Sequence, residues 1–218
     1  MPLVDAKLDL WGEPGDHPGY LLLRLAWPVP ESLSRRWRVA CCPDRRAQAA
    51  RLKLPEDQAR CLAAGWLLSR IAPGKEYKDA LGRPGLADQP GQHISLTHSG
   101  DWVGCAAHDQ AVGIDVERVE AADEGMARTF MSGPELARYS RLAEPERTEF
   151  FFRIWTAKEA WLKAKGTGFS GRPESTTVRW DGAEPVGLAA PAAGGPWRLR
   201  QQPLPGGYWL ALCWAAER

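Results

Sequence analysis

Between Glu144-Pro145 and Gly166 the sequence carries one long helical pattern, about Glu146 to Lys165. Phe151, Ile154, Trp155, Trp161 and Leu162 supply its apolar positions and Gly166 the stop. A helix of that length must bury its stripe against another layer, and most other apolar runs in the chain are short and strand-like. Leu21 to Ala26 reads as an early strand ended by Pro28 and Pro30, while His93 to His98 and Trp102 to Ala107 read as strands joined at Gly100-Asp101. Thr176 to Trp180, Trp197 to Arg200 and Tyr208 to Trp214 follow the long helix in the same style. The fold class is therefore α+β.

Two further helices are legible. Pro55, followed by Glu56 and Asp57, opens one in which Ala59, Leu62, Ala63, Trp66, Leu67 and Ile71 recur at helical spacing up to Pro73. Ser132-Gly-Pro-Glu135 has the form of a capping box ahead of Leu136, Tyr139 and Leu142. The segments Gly82 to Gly91 and Gly182 to Pro196 are rich in Gly, Pro or Ala and read as loops. Helices and strands are interleaved in both halves of the 218 residues, which suggests an internal duplication. We expect two similar α+β halves, 1–108 and 109–218, with a site in the cleft between them.

Charge and cysteine content narrow the function. Lys and Arg total 28 against 27 for Asp and Glu, so the balance gives no argument for a nucleic-acid or membrane partner. Eight basic residues (Arg35, Arg36, Arg38, Arg45, Arg46, Arg51, Lys53, Arg60) nevertheless face only four acids between Glu31 and Arg60. That stretch suits either a phosphate ligand or a solvated helical face. Five cysteines, odd in number and without Cys-x-x-Cys, support neither a disulfide framework nor a zinc site; reduced, buried thiols are expected. Met1 to Leu10 mixes acids among its apolar residues, and no run approaches a membrane span, so the chain reads as cytoplasmic.

Ala111 to Val119 alternates, with Val112, Ile114 and Val116 on one face and Gly113, Asp115 and Glu117 on the other, as in a half-buried strand. Asp115 and Glu117 then project from one face with Cα atoms roughly 6.5 Å apart, within reach of one hard cation. Such a pair alone is commonly an exposed polar face. Glu159 and Lys163 stand one turn apart on the long helix, which alone is commonly a surface ion pair. His98 alone suits a hydrogen-bonded structural histidine. Ser99 beside it makes no hydrolase, since neighbours on a strand face oppositely and no Gly-x-Ser-x-Gly elbow is present.

The string from Trp155 to Phe169 is more specific than any pair within it. Trp155-Thr-Ala-Lys158-Glu159-Ala-Trp-Leu-Lys163-Ala-Lys165-Gly166-Thr-Gly168-Phe169 resembles the second signature of the surfactin-type 4′-phosphopantetheinyl transferases, and Gly113-Ile-Asp115-Val-Glu117 resembles the first. Thr97-His98-Ser99 is similar to the family's serine-histidine-serine segment, with threonine leading. Gly82-Arg83-Pro84 is similar to its Gly-Lys-Pro, and Arg60 to an arginine opening its first long helix.

The resemblance spans about Arg60 to Phe169 and implies a transfer of 4′-phosphopantetheine from coenzyme A to a serine of an apo acyl or peptidyl carrier protein, releasing adenosine 3′,5′-bisphosphate. It implies Mg²⁺ among Asp115, Glu117 and Glu159, with Lys163 on the pyrophosphate. Arg60 and His98, in a segment with Thr97, would hold the 3′-phosphate, helped by Arg45 or Arg46, and the Gly82-Arg83-Pro84 loop would line the adenine end. Arginine for lysine there keeps the charge and changes the contact geometry. Glu159, or a water positioned by Glu117, is the candidate base. Met126, Phe130 and Met131 in Glu120 to Met131 offer a lip for the carrier, or ordinary core. A monomer is expected. The alternatives are a silent coenzyme A or carrier-binding protein and a Mg²⁺-dependent pyrophosphatase.

Overall fold

The computed structural model describes residues 18–167, 171–189 and 196–216. The N-terminal residues read above and the Gly168-Phe169 end of the second motif lie outside the described residues. The chain divides into two compact units, Met1–Asp109 and Gln110–Arg218.

In the first unit a three-stranded antiparallel sheet has the order β1-β5-β4, with β1 Gly19–Arg24, β4 His93–Ser99 and β5 Trp102–His108. Gly100, with φ of 50°, turns β4 into β5, where an L side chain would be strained. Helix α3, Pro55–Ile71, has proline in its first turn and Glu56 and Asp57 facing the positive end of its dipole. Its Ala59, Leu62, Ala63 and Leu67 pack with Leu21, Leu23, Val103 and Cys105 of the sheet. Two shorter helices, α1 Glu31–Ala40 and α2 Pro43–Arg51, flank α3. Gly65 permits this approach, because a Cβ there would lie 2.6 Å from Cys41 Sγ.

One local expectation is corrected here. The 82–91 segment is not all loop: β3 Pro84–Leu86 pairs antiparallel with β2 Glu76–Lys78. A three-residue strand of Pro-Gly-Leu shows no period of two, so only the backbone reveals it.

The second unit holds a five-stranded antiparallel sheet of order β6-β10-β9-β8-β7. Its strands are β6 Val112–Arg118, β7 Thr177–Asp181, β8 Glu184–Ala189, β9 Trp197–Leu204 and β10 Tyr208–Ala215. Strand β8 falls within the Gly182 to Pro196 segment expected to be loop; Pro185 and Gly187 interrupt its apolar pattern, and a bulge interrupts its register with β7. Helices α4 Glu124–Phe130 and α5 Gly133–Tyr139 precede α6, Glu146–Lys165, whose C-cap Gly166 takes φ of 68°. Helix α6 lays Ile154, Ala157, Ala160, Trp161 and Ala164 against Leu188, Leu199, Ala211 and Cys213 of the sheet. Each unit thus sets one long helix on an antiparallel sheet, with different strand counts.

Strand β6 departs from the half-buried expectation, because every residue from Val112 to Val116 is buried. The cause is Gly113: a Cβ there would lie 1.8 Å from the Ala160 carbonyl oxygen, so the α6 backbone rests directly on β6. Among the described residues no helix is long and apolar enough to cross a membrane.

Candidate active site

The close approach of α6 to β6 at Gly113 brings together side chains 48 positions apart. Lys163 Nζ donates to Asp115 Oδ1 at 2.7 Å and to the Ile114 carbonyl at 3.2 Å. The Asp115 side chain is only 4% exposed, so this charge-assisted contact is largely out of water. Glu159, one turn earlier on α6, has Oε1 buried with no hydrogen-bond partner among the described residues. Burial, then the charge of Asp115, push its carboxyl up to about 7, and Lys163 opposes them. Two carboxylates and one ammonium therefore meet on the β6-α6 seam, and these three groups carry one more negative than positive charge when all are ionised.

That excess has a measurable consequence. Glu159 is raised above its unfolded value near 4.5, so its contribution to stability is present at low pH and is lost as pH rises from about 4.5 through 7. In chelator-treated protein, Glu159→Gln is expected to melt higher than wild type at pH 8 and near it at pH 5. Scanning calorimetry at the two pH values checks this; an unchanged difference would mean that Glu159 is not an uncompensated buried charge.

Glu117 follows on the same face of β6 and is half-buried. Among the described residues no group of three or more His, Cys, Asp or Glu side chains lies close enough to enclose a metal ion. The Asp115 and Glu159 pair is nonetheless suited to a hard cation, since the buried, unpartnered Glu159 oxygen beside a second carboxylate calls for positive charge.

Lys158, in the same motif, serves a different purpose. It is fully buried, and its Nζ donates to the Phe130 carbonyl at 3.0 Å, the Pro173 carbonyl at 2.9 Å and Glu135 Oε2 at 2.5 Å. Glu135 also accepts from the backbone N–H groups of Ser132 and Val178. The capping box of α5 is thereby wired to α6 immediately beside Glu159. Charge alone in a helical pattern gave no sign of this, since a lysine there is ordinarily solvated.

Of the apolar residues in the 120–131 segment, Phe130 and Met131 are buried, and Phe130 stacks on Trp155 with centroids 4.3 Å apart. Met126 alone of the three is exposed. The lip expected there reduces to that residue.

In the first unit, β4 places Thr97 and His98 on opposite faces, Thr97 buried and His98 exposed. Arg60 Nε donates to the Gly100 carbonyl at 2.8 Å, its Nη1 to Asp57 at 2.8 Å, and its guanidinium lies 5.2 Å from the Trp27 ring centroid. Arg60 is thus anchored at the turn directly after His98. Arg45, expected on the 3′-phosphate, is buried and its guanidinium is engaged through Nε and Nη2 by Glu76. Arg46 is half-buried, and Arg36, Arg38, Arg51 and Lys53 are exposed. A cavity of about 420 Å³ lined by Arg45, Gln48, Arg51, Glu76, Tyr77 and Lys78 adjoins the β2-β3 hairpin, which carries Gly82, Arg83 and Pro84. All five cysteines are free, four of them buried, as expected.

Residues 111–213 match the model of the 4′-phosphopantetheinyl transferase superfamily. The chain is similar to the 4′-phosphopantetheinyl transferase Sfp of Bacillus subtilis, 28% identical over 196 residues that cover 85% of this chain and 87% of that protein. It is 32% identical over 181 residues to the 4′-phosphopantetheinyl transferase psf-1 of Bacillus pumilus, covering 78% and 77%. With the 4′-phosphopantetheinyl transferase HetI of a Nostoc species it shares 30% identity over 208 residues, covering 88% and 82%.

Proposed function

We propose a division of labour within a chain that belongs to the 4′-phosphopantetheinyl transferase superfamily and, as such, transfers the phosphopantetheine group to carrier proteins. In this reading the second unit handles the pyrophosphate of coenzyme A, and the first takes its adenosine end. The observation that carries the reading is the meeting of Asp115, Lys163 and the buried Glu159 carboxyl on the β6-α6 seam.

Asp115 and Glu159 are the residues that would hold Mg²⁺, with Glu117 next on the same face of β6. The bound ion would supply positive charge to the diphosphate oxygens as the pyrophosphate bond loosens. Lys163, already within reach of Asp115, contributes a second positive charge at the pyrophosphate. The carrier serine oxygen forms a bond to the β-phosphorus of coenzyme A, and the bond from that phosphorus to the bridging oxygen breaks. Adenosine 3′,5′-bisphosphate leaves with the bridging electrons. Glu159 takes the serine proton, directly or through a water positioned by Glu117.

Arg60, anchored beside His98, is assigned to the 3′-phosphate together with His98, and Thr97 shapes the strand beneath. Arg45 contributes as the fixed floor of the adjoining cavity, since Glu76 already engages its guanidinium. Gly82, Arg83 and Pro84 line the adenine end. The protein acts as a monomer in the cytoplasm, the reducing compartment in which five free cysteines persist.

The test is the intact mass of an apo acyl or peptidyl carrier protein incubated with the protein, coenzyme A and Mg²⁺. A gain of one phosphopantetheine unit that disappears on chelation is expected. Coenzyme A hydrolysis with no gain would replace transfer by a pyrophosphatase activity, and no reaction would leave a silent binder.

A further inference from the structure

The β2-β3 hairpin ends in a turn organised by one side chain. Asp79 Oδ1 accepts the backbone N–H groups of Leu81 and Arg83, each at 2.9 Å. Its own backbone N–H donates to the Arg83 carbonyl at 3.0 Å, and its carbonyl accepts from Gly82 at 2.9 Å. Gly82 sits at φ of 81°, a conformation a bulkier residue would resist. The second carboxylate oxygen, Oδ2, is then aimed back at Arg83, 3.3 Å from Nε. One carboxylate therefore fixes both the backbone that presents Arg83 and the inner edge of its guanidinium.

We propose that Asp79 is a positioning residue for coenzyme A: by holding the backbone and Nε of Arg83, it presents the Nη donors of that side chain to the adenine end of the substrate. The inference rests on the assignment of Arg83 to the adenine end made above. Its physical content is preorganisation. An exposed arginine on a flexible stem loses rotamer freedom on binding, and a guanidinium already oriented loses less. Arg83 is 47% and Asp79 29% exposed at the side chain, so the pair stays open to a ligand. It is not a closed structural contact like that of Arg45 and Glu76. Arginine is required for this arrangement, since it can give Nε to Asp79 and keep Nη donors, whereas the single ammonium of lysine would be drawn to the carboxylate.

The experiment measures initial rates with an apo acyl carrier protein while coenzyme A and the carrier are varied separately. Asp79→Asn keeps a side-chain acceptor for the two turn N–H groups and removes the charge facing Nε; Asp79→Ser is a second neutral variant that also retains an acceptor. Both are expected to raise KM for coenzyme A by about fivefold to tenfold, the scale of one charge-assisted contact. The turnover number stays within about twofold and KM for the carrier is unchanged, a split that general damage to the fold would not produce. Arg83→Ala gives a similar rise, and Asp79→Asn combined with Arg83→Ala is no worse than Arg83→Ala alone. Additive effects in the double variant, or an Asp79→Asn variant with normal KM when Arg83→Ala raises it, would overturn the inference. A normal KM in Arg83→Ala would overturn the Arg83 assignment and this inference together, while transfer itself would stand.

Discussion

Asp115→Asn is expected to lower the turnover number by about 10³-fold or more, with the circular dichroism spectrum and chromatographic behaviour of the wild type retained. The magnitude follows from what one carboxylate does at a phosphoryl-transfer site, where positioning and charge stabilisation carry most of the rate and loss of one principal electrostatic group costs at least that factor. Asp115 has two such duties. It is a proposed ligand to Mg²⁺, and it fixes Lys163 Nζ at 2.7 Å. Asparagine keeps the shape and one carbonyl acceptor but removes the charge on which both depend. The fold should tolerate the change, because removing the charge also relieves the repulsion that raises Glu159. Single-turnover intact-mass measurements at saturating Mg²⁺ read the outcome. Turnover within about tenfold of wild type would remove Asp115 from the catalytic machinery.

The parts of this site that were legible beforehand were those with local punctuation. Helix α6 runs from Glu146 to Lys165 because Pro145 and Gly166 bracket it, and Gly166 takes the left-handed conformation that its type allows. The α5 capping box was visible for the same reason. Tertiary placement was hidden. The alternation in β6 suggested one wet face, yet the residue that breaks the expectation is Gly113, whose missing side chain reads as polar in a pattern and acts as an opening for the α6 backbone. That opening is also what sets Lys163 on Asp115, so the same glycine accounts for the burial of the β6 face and for that ion pair. Arg45 looked like one of a run of phosphate ligands. Its engagement by Glu76, 31 positions away, follows from how α2 meets β2 and leaves no trace in local sequence. Strands β3 and β8 have no side-chain period, because Pro and Gly occupy the positions where it would otherwise show.

Lys158→Met is expected to destabilise the protein by about 3 to 5 kcal/mol, the range seen when one partner of a buried ion pair is removed. Methionine nearly fills the volume of the lysine stem, so the loss is chiefly electrostatic. It leaves Glu135, 3% exposed, without its countercharge, and it takes a donor from the carbonyls of Phe130 and Pro173, the latter keeping the Thr176 N–H. Burial depresses the Lys158 pKa and Glu135 opposes that effect. The decisive comparison is with Lys158→Met combined with Glu135→Leu, which removes both charges while giving up the hydrogen bonds of Glu135 to Ser132 and Val178. Guanidinium melts should show the double variant recovering at least about 1 kcal/mol over the single one, because an uncompensated buried carboxylate costs more than the two backbone hydrogen bonds it accepts. A single variant that loses less than about 1 kcal/mol would show the ammonium to be dispensable. A double variant no better than the single would assign the loss to packing. Either result would uncouple the α5 cap from the helix that carries Glu159 and Lys163.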